Sequence, residues 1–160
     1  MLKIKKLISA DFIDCYKLLK IHNRDLVYFR SMGWSLQQFE KQFSKNIFYG
    51  LGIYENKNLQ GFIIGDLIKI KNVIDYELLI IYISFKKREL GYATKLHNDI
   101  QLTLQKHQLN KIYLEVAANN TAAINFYLKN GYEKLGVRKK YYFINNNKID
   151  AYTFEKLINE

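Results

Sequence analysis

Six consecutive apolar residues, Leu78 to Ile83, run into the charged stretch Lys86-Lys87-Arg88-Glu89-Leu90-Gly91, and there the chain changes period. Beyond the glycine, Tyr92, Leu96, Ile100 and Leu104 recur every four residues, which predicts one face of a helix over about 91–107. A short apolar run bounded by turn residues reads as a buried strand. The segment is therefore a strand, a glycine turn and a helix in direct succession. That order commits the chain to a mixed architecture and sets the turn where backbone amides and the helix dipole create an anion site.

Elsewhere the chain punctuates itself without proline, so asparagine and glycine must shape turns such as Glu55-Asn56-Lys57-Asn58 and Asn145-Asn146-Asn147-Lys148. A first strand at 2–8 leads to a helix that Ser9 is placed to cap, with Asp11 and Asp14 in its first turns and Lys17 and Lys20 near its end. A second helix begins at Ser35 to Gln38, a capping-box pattern with Leu36, Phe39 and Phe43 spaced for one face. Strands follow at about 47–54, 59–70 and 74–83, the first two joined by a hairpin around Asn56 to Asn58. After the 91–107 helix come a strand at 111–116, a helix at 120–129 and strands at about 132–143 and 149–157. Gly131 stands where a left-handed helix cap is wanted. The order β-α-α-β-β-β-α-β-α-β-β predicts an α/β (α+β) fold: a mixed, mostly antiparallel twisted sheet of about seven strands flanked by about four helices. No linker, repeat or low-complexity block interrupts it, and 160 residues suit one domain, 1–160, with a core that needs no staples.

A net charge of +10 permits anionic partners such as nucleotides, nucleic acid or an acidic protein without choosing among them. The basic residues are scattered, with short clusters at Lys86-Lys87-Arg88 and Arg138-Lys139-Lys140, and no aromatic-basic recognition motif favours nucleic acid. The single cysteine, Cys15, excludes an internal disulfide and reads as a packed thiol among Phe12, Tyr16 and Leu19. Lys3, Lys5 and Lys6 break up the N-terminus as a secretory signal, and no apolar run is long enough to span a bilayer, so a cytoplasmic, membrane-free protein is expected. His22, His97 and His107 share no metal-like spacing with one another or with Cys15, and no metal is expected.

Arg88-Glu89-Leu90-Gly91-Tyr92-Ala93 fits the pattern R/Q-x-x-G-x-G/A. Glycine allows close backbone approach and alanine keeps the first helical turn uncrowded, so a pyrophosphate can meet several amides. Alone, such spacing is also that of an ordinary charged loop. Downstream, "LEVAANNTAAINFYLKNGYEKLG" (114–136) sets a strand, an asparagine-rich cap, a short helix with Phe126-Tyr127 and a terminating glycine in order. Together these segments resemble the GCN5-related N-acetyltransferase (GNAT) family. "YLEVAANNTAAINFY", "VRKKYY" and "DAYTFEKL" are similar to its ribosomal-protein-alanine (RimI-type) branch, which acetylates a protein N-terminus. Gly33-Trp34-Ser35 echoes that family's Pro-Trp-Ser, and the resemblance spans nearly the whole chain.

The resemblance implies an acetyl-CoA-dependent N-acetyltransferase that moves the acetyl group directly from the thioester to a primary amine, above all a protein N-terminal α-amine. It implies that the backbone of Ile81, Tyr82 and Ile83 pairs with the pantetheine arm, and that an amide there polarises the thioester carbonyl. Arg88 would lead into Glu89, Leu90, Gly91, Tyr92, Ala93 and Thr94, which wrap the pyrophosphate, while Asn120 matches an asparagine that hydrogen-bonds the cofactor. Glu115 matches the general base and Tyr127 the acid that protonates the departing thiolate. Tyr141 and Tyr142 match paired tyrosines of the acceptor groove, and Trp34 reads as either a substrate contact or a hydrophobic staple.

These residue types suit the chemistry. Freeing an α-amine at pH 7 costs about 1 kcal/mol, against about 4.6 kcal/mol for a lysine, so a single carboxylate suits the former. Tyrosine stays protonated near neutrality and can donate to a thiolate whose conjugate acid lies near 8.5. From spacing alone, Glu115 reads first as a strand carboxylate paired with a lysine, and Tyr127 as a core aromatic; the surrounding pattern is what favours the functional roles. Glu89 and Leu90 depart from the family, which more often has glycine, polar or basic residues there; a carboxylate repels pyrophosphate unless it points to solvent. A +10 chain is also an awkward partner for a basic ribosomal peptide. Small amines, protein lysines and aminoacyl-tRNA therefore stay open as acceptors. A non-catalytic acyl-CoA-binding module and a basic nucleic-acid-binding domain are the competing classes, and a monomer or homodimer is expected.

Overall fold

Apolar strands between asparagine and glycine turns build the sheet that the sequence anticipates. The computed structural model describes residues 1–158. The chain runs β1 (Leu2–Lys6), α1 (Phe12–Lys20), α2 (Asn23–Ser31), α3 (Leu36–Phe43), β2 (Phe48–Glu55), β3 (Asn58–Ile70), β4 (Val73–Ile83), α4 (Tyr92–Gln105), β5 (Leu109–Ala117), α5 (Thr121–Lys129), β6 (Glu133–Ile144) and β7 (Asn147–Leu157). The last two residues of the expected domain, 159–160, lie outside the described residues. The seven strands form one sheet in the order β1-β2-β3-β4-β5-β7-β6. Every pairing is antiparallel except β4 with β5, which α4 connects by a crossover.

The core has two layers, one on each face. Leu96, Ile100 and Leu104 of α4 pack against Ile63, Tyr76, Leu78, Ile112 and Leu114. On the other face, Leu18, Leu19, Phe39 and Phe43 of α1 and α3 cover Phe62, Ile64, Ile80 and Tyr82. Among the described residues no helix is long and apolar enough to cross a membrane.

Several local expectations hold. Asn56 and Lys57 adopt φ of +49° and +72° in a two-residue turn closed by Glu55 opposite Asn58, the left-handed pair that matches strand twist. Ser35 Oγ accepts the Gln38 N–H at 3.1 Å, and Trp34 packs on Phe39 with ring centroids 5.3 Å apart, the staple geometry. Gly131 has φ +88°; its N–H reaches the Leu128 carbonyl (3.2 Å) while Tyr132 N–H reaches that of Tyr127 (3.1 Å), closing α5.

Three expectations are corrected. Among the described residues there are five α-helices where about four were expected, because Asn23–Ser31 forms α2; no α2 residue is fully buried, so its apolar periodicity is weak in the sequence. Ser9 caps nothing: Ser9–Asp11 is a single 3-10 turn in which Asp11 Oδ2 accepts the Ile8 N–H at 2.7 Å, and α1 begins at Phe12. Leu36 is exposed, so only Phe39 and Phe43 of the expected face reach the core.

The middle of the sheet carries one irregularity. Ile64 pairs Ile80 but Gly65 pairs Leu78, leaving Leu79 as a bulge in β4. The extra residue inverts the strand: Tyr76 and Leu78 face the α4 layer, whereas Ile80 and Tyr82 face α1 and α3. Opposite the bulge, a β-carbon on Gly65 would overlap the Glu77 carbonyl oxygen.

Candidate active site

Strands β4 and β5 are registered only from Ile74 with Leu109 to Glu77 with Tyr113. Beyond that point β4 continues to Ile83 and β5 to Ala117 with no pairing between them, so the sheet opens like a wedge just past the bulge. Their facing backbone groups are left to meet another polar chain. A cleft of about 520 Å³ lies along the freed end of β4, with α2, α5 and the turn before α5 as its other walls. Of the residues singled out from the sequence, Ile81, Tyr82, Ile83, Arg88, Ala93, Asn120 and Tyr127 line it together.

At its outer end the cleft meets the N-terminus of α4. Gly91 takes φ +80° as the helix N-cap, and Lys95 N–H makes the first helical bond to its carbonyl at 3.0 Å. The amides of Tyr92, Ala93 and Thr94 ahead of it are therefore unengaged by the helix, and no acidic residue occupies its first turn. A helix terminus of this kind is electrostatically favourable to an anion. The basic cluster before it serves the loop instead. Lys87 Nζ pairs with Glu55 at 2.7 Å, and Tyr92 OH donates to the same carboxylate at 3.2 Å. Arg88 turns back, donating to the Ile83 carbonyl (3.1 Å) and to Asp25 Oδ2 (2.7 Å). Glu89 has φ +63°, and it and Leu90 are exposed, which removes the repulsion: the carboxylate is in solvent.

Asn120 caps α5, its Oδ1 accepting the Ala123 N–H at 3.2 Å, while its Nδ2 faces Tyr28 OH at 3.5 Å. Tyr127 projects from α5 and is almost wholly buried; burial, with Tyr142 and Tyr28 nearby, raises its phenol well above the ordinary range. It thus carries its proton at any working pH. Glu115 on β5 does not line the 520 Å³ cleft itself. Its Oε1 pairs with Arg138 Nε at 3.1 Å, and its buried Oε2 finds no donor among the described residues. Tyr142 is half-buried, and its phenol is raised by burial and then by the Glu115 charge. Tyr141 is exposed, its ring 5.1 Å from that of Tyr142. Trp34 stays in the α1–α3 layer and is not among the cleft-lining residues.

Sequence reasoning missed two contributions. The first is α2, whose Arg24, Asp25, Tyr28 and Phe29 form a cleft wall. Asp25 anchors it: Oδ2 accepts from Tyr82 OH (2.6 Å) and Arg88, and His22 Nδ1 lies 3.3 Å away. The second is Glu77, on the same face as Glu115 and next to Tyr113 OH at 3.5 Å. Burial first, then Asp66 and Glu115, raise its carboxyl. Two acids, Asp75 and Glu77, inside the otherwise apolar "VIDYELLIIYI" were the available signal.

Residues 15–132 match the model of the acetyltransferase (GNAT) family. No curated protein matches the sequence. Among solved structures, the chain is similar to the ribosomal-protein-alanine N-acetyltransferase of Escherichia coli, with a TM-score of 0.83 at 20% identity over 100% of this chain and 96% of that one. Arabidopsis thaliana NAA60 in complex with acetyl-CoA superposes with a TM-score of 0.78 at 18% identity, over all of both chains (100% and 100%). A spermidine N-acetyltransferase chimera from Vibrio cholerae and its human counterpart gives 0.77 at 24% identity, covering 98% of this chain and 95% of that one. At such identities these are likenesses of fold.

Proposed function

The chain belongs to the acetyltransferase (GNAT) family, and from that premise we propose that it transfers the acetyl group of acetyl-CoA directly to the α-amine of a protein or peptide N-terminus, the ribosomal-protein-alanine reaction. One domain carries the whole reaction. The observation that carries the reading is the wedge: two unpaired strand edges lead from an open helix N-terminus to a buried tyrosine and a carboxylate with an empty oxygen. The acetyl-CoA complex and the N-terminal acetyltransferase among the similar structures support it.

In this reading the edge at Ile81, Tyr82 and Ile83 holds the pantetheine arm as a strand would be held. The loop from Arg88 to Thr94 takes the pyrophosphate on its backbone, and Asn120 offers Nδ2. Glu115 accepts a proton from the α-ammonium, and the freed amine attacks the thioester carbonyl carbon. As the C–S bond breaks, Tyr127 gives its proton to the thiolate, and the surplus proton on the acylated nitrogen passes back to the phenolate, leaving a neutral amide and free CoA thiol. General acid–base assistance of this kind is worth about 10²–10⁴ in rate.

A second reading, transfer to a lysine or polyamine amine, is favoured by Glu77. A carboxyl raised by burial is the stronger base that a pKa near 10.4 calls for. The test is a peptide library offering free α-amines or lysine amines only, analysed by mass spectrometry. Product on α-amines is expected; product confined to lysine arms would replace the first reading with the second.

A further inference from the structure

Strand β6 packs beside α2 at the mouth of the site and carries a basic run, and the fold is built to hold it there. In β6, Arg138 pairs Ala151 but Tyr142 pairs Ile149, so Lys139, Lys140 and Tyr141 bulge against the single residue Asp150. Asp150 Oδ1 fixes the bulge by accepting the Lys140 N–H at 2.8 Å, with Lys140 held at φ +54°. Arg138, Lys139 and Lys140 are all exposed. Among the described residues neither lysine has a carboxylate within ion-pair distance. Arg138 has one, and it is Glu115, at 3.1 Å. Beside β6, α2 adds the exposed Arg24 and Arg30.

A guanidinium on the candidate base works against an ammonium acceptor. It occupies Glu115 Oε1 and repels the incoming cation. The arrangement becomes productive once the acceptor itself brings a negative charge to take the arginine away. An extended chain advances about 3.3–3.6 Å per residue. An acceptor whose α-amine reaches Glu115 Oε2 therefore passes its second and third side chains within reach of Arg138, whose fork suits a carboxylate. We infer, resting on the N-terminal reading, that the acceptor is an N-terminus with Asp or Glu at its second or third residue, and that Arg138 selects it by moving from Glu115 to that carboxylate. The transfer leaves both Glu115 oxygens to the α-ammonium. It also reconciles a +10 chain with a peptide acceptor: the partner is acidic.

The test compares equal-length peptides beginning alanyl-aspartyl-glutamyl, alanyl-glutaminyl-glutaminyl and alanyl-lysyl-arginyl, using the full chain at low salt and again at 0.5 M. Expected kcat/KM for the acidic peptide exceeds the neutral one by about tenfold or more, and the preference shrinks at high salt. In Arg138→Gln the acidic-to-neutral ratio is expected to fall to about unity with CoA binding unchanged, and Arg138→Lys to recover part of it. A ratio that survives in Arg138→Gln overturns the role of Arg138. α-Amine acetylation without charge preference overturns the acidic class while leaving the N-terminal reading intact. Lysine acetylation alone overturns both.

Discussion

Replacing Gly91 by alanine separates backbone from bulk at the N-terminus of α4. Gly91 has φ +80° and ψ +10°, and a β-carbon built on it meets nothing within 4 Å. The cost is therefore conformational, about 1–2 kcal/mol for an L-residue held in the left-handed region. For a chain of this size 1 kcal/mol is about 2–4 °C, so Tm should fall by roughly 2–8 °C. Strain relieved by leaving that region would re-aim the open amides of Tyr92, Ala93 and Thr94. A hydrogen bond to a charged group is worth about 1.5–3 kcal/mol, so losing one weakens CoA binding by about 10- to 100-fold. Differential scanning calorimetry gives the first number and titration calorimetry with CoA the second. Gly91→Asn is the control, because asparagine tolerates the left-handed region and should retain most of both. An alanine variant with wild-type Tm and CoA affinity, or an asparagine variant no better than alanine, would refute the reasoning.

Glu115→Gln and Tyr127→Phe should each lower kcat by about 10²–10⁴ while leaving CoA affinity within about twofold; full activity in steady-state assays of both would remove the acid–base assignment. Glu89→Gly relieves a residue at φ +63° but loosens the unfolded chain, so stability should change by less than about 1 kcal/mol. Because its carboxylate already lies in solvent, CoA affinity measured by calorimetry should stay within about twofold, and a larger rise would show that the Glu89 charge does reach the bound phosphates. His97 is fully buried and its Nε2 lies 2.8 Å from Tyr132 OH; burial first, then the Lys156 charge, holds it down to about 4 from 6.5. Its folded state therefore binds fewer protons than the unfolded chain between those values. The stability it protects is complete above about pH 6.5 and is lost as pH falls toward 4, on the order of 3 kcal/mol. Denaturant titrations of His97→Gln between pH 7 and 4.5 should show a flatter slope than wild type, and an equal slope would assign the loss elsewhere.

What could be read in the sequence was local. The Asn56-Lys57 turn, the Ser35 cap and the Gly131 terminus each depend on residues within five positions, so spacing sufficed. The misses are long-range. α2 is held by Asp25, which reaches Tyr82 and Arg88, 57 and 63 residues away, and nothing in its own periodicity announces that. The bulge at Leu79 leaves no trace in "LLIIYI", because an all-apolar run reads the same whichever face each residue takes. The partner of Glu115 was anticipated as a lysine if anything; only β6 lying beside β7 brings Arg138 to it. Ser9 caps no helix because Ser9–Asp11 forms a 3-10 turn ahead of α1, tied back by Asp11 accepting the Ile8 N–H.

The wedge has a consequence for endurance as well as chemistry. The two parts of the sheet, β1 to β4 and β5 to β7, are laced together through a parallel seam of four registered pairs, and past it the rungs are missing. A ligand laid along Ile81 to Ile83 would supply rungs that the polypeptide withholds, and would thus be counted in the folding equilibrium itself. At a hundredfold excess over its dissociation constant, such a ligand adds about 2.7 kcal/mol to the stability of whatever it binds. The chain would then be hardiest where its own reagent is plentiful, and a shortage of that reagent would be felt first as a looser seam down the middle of the sheet.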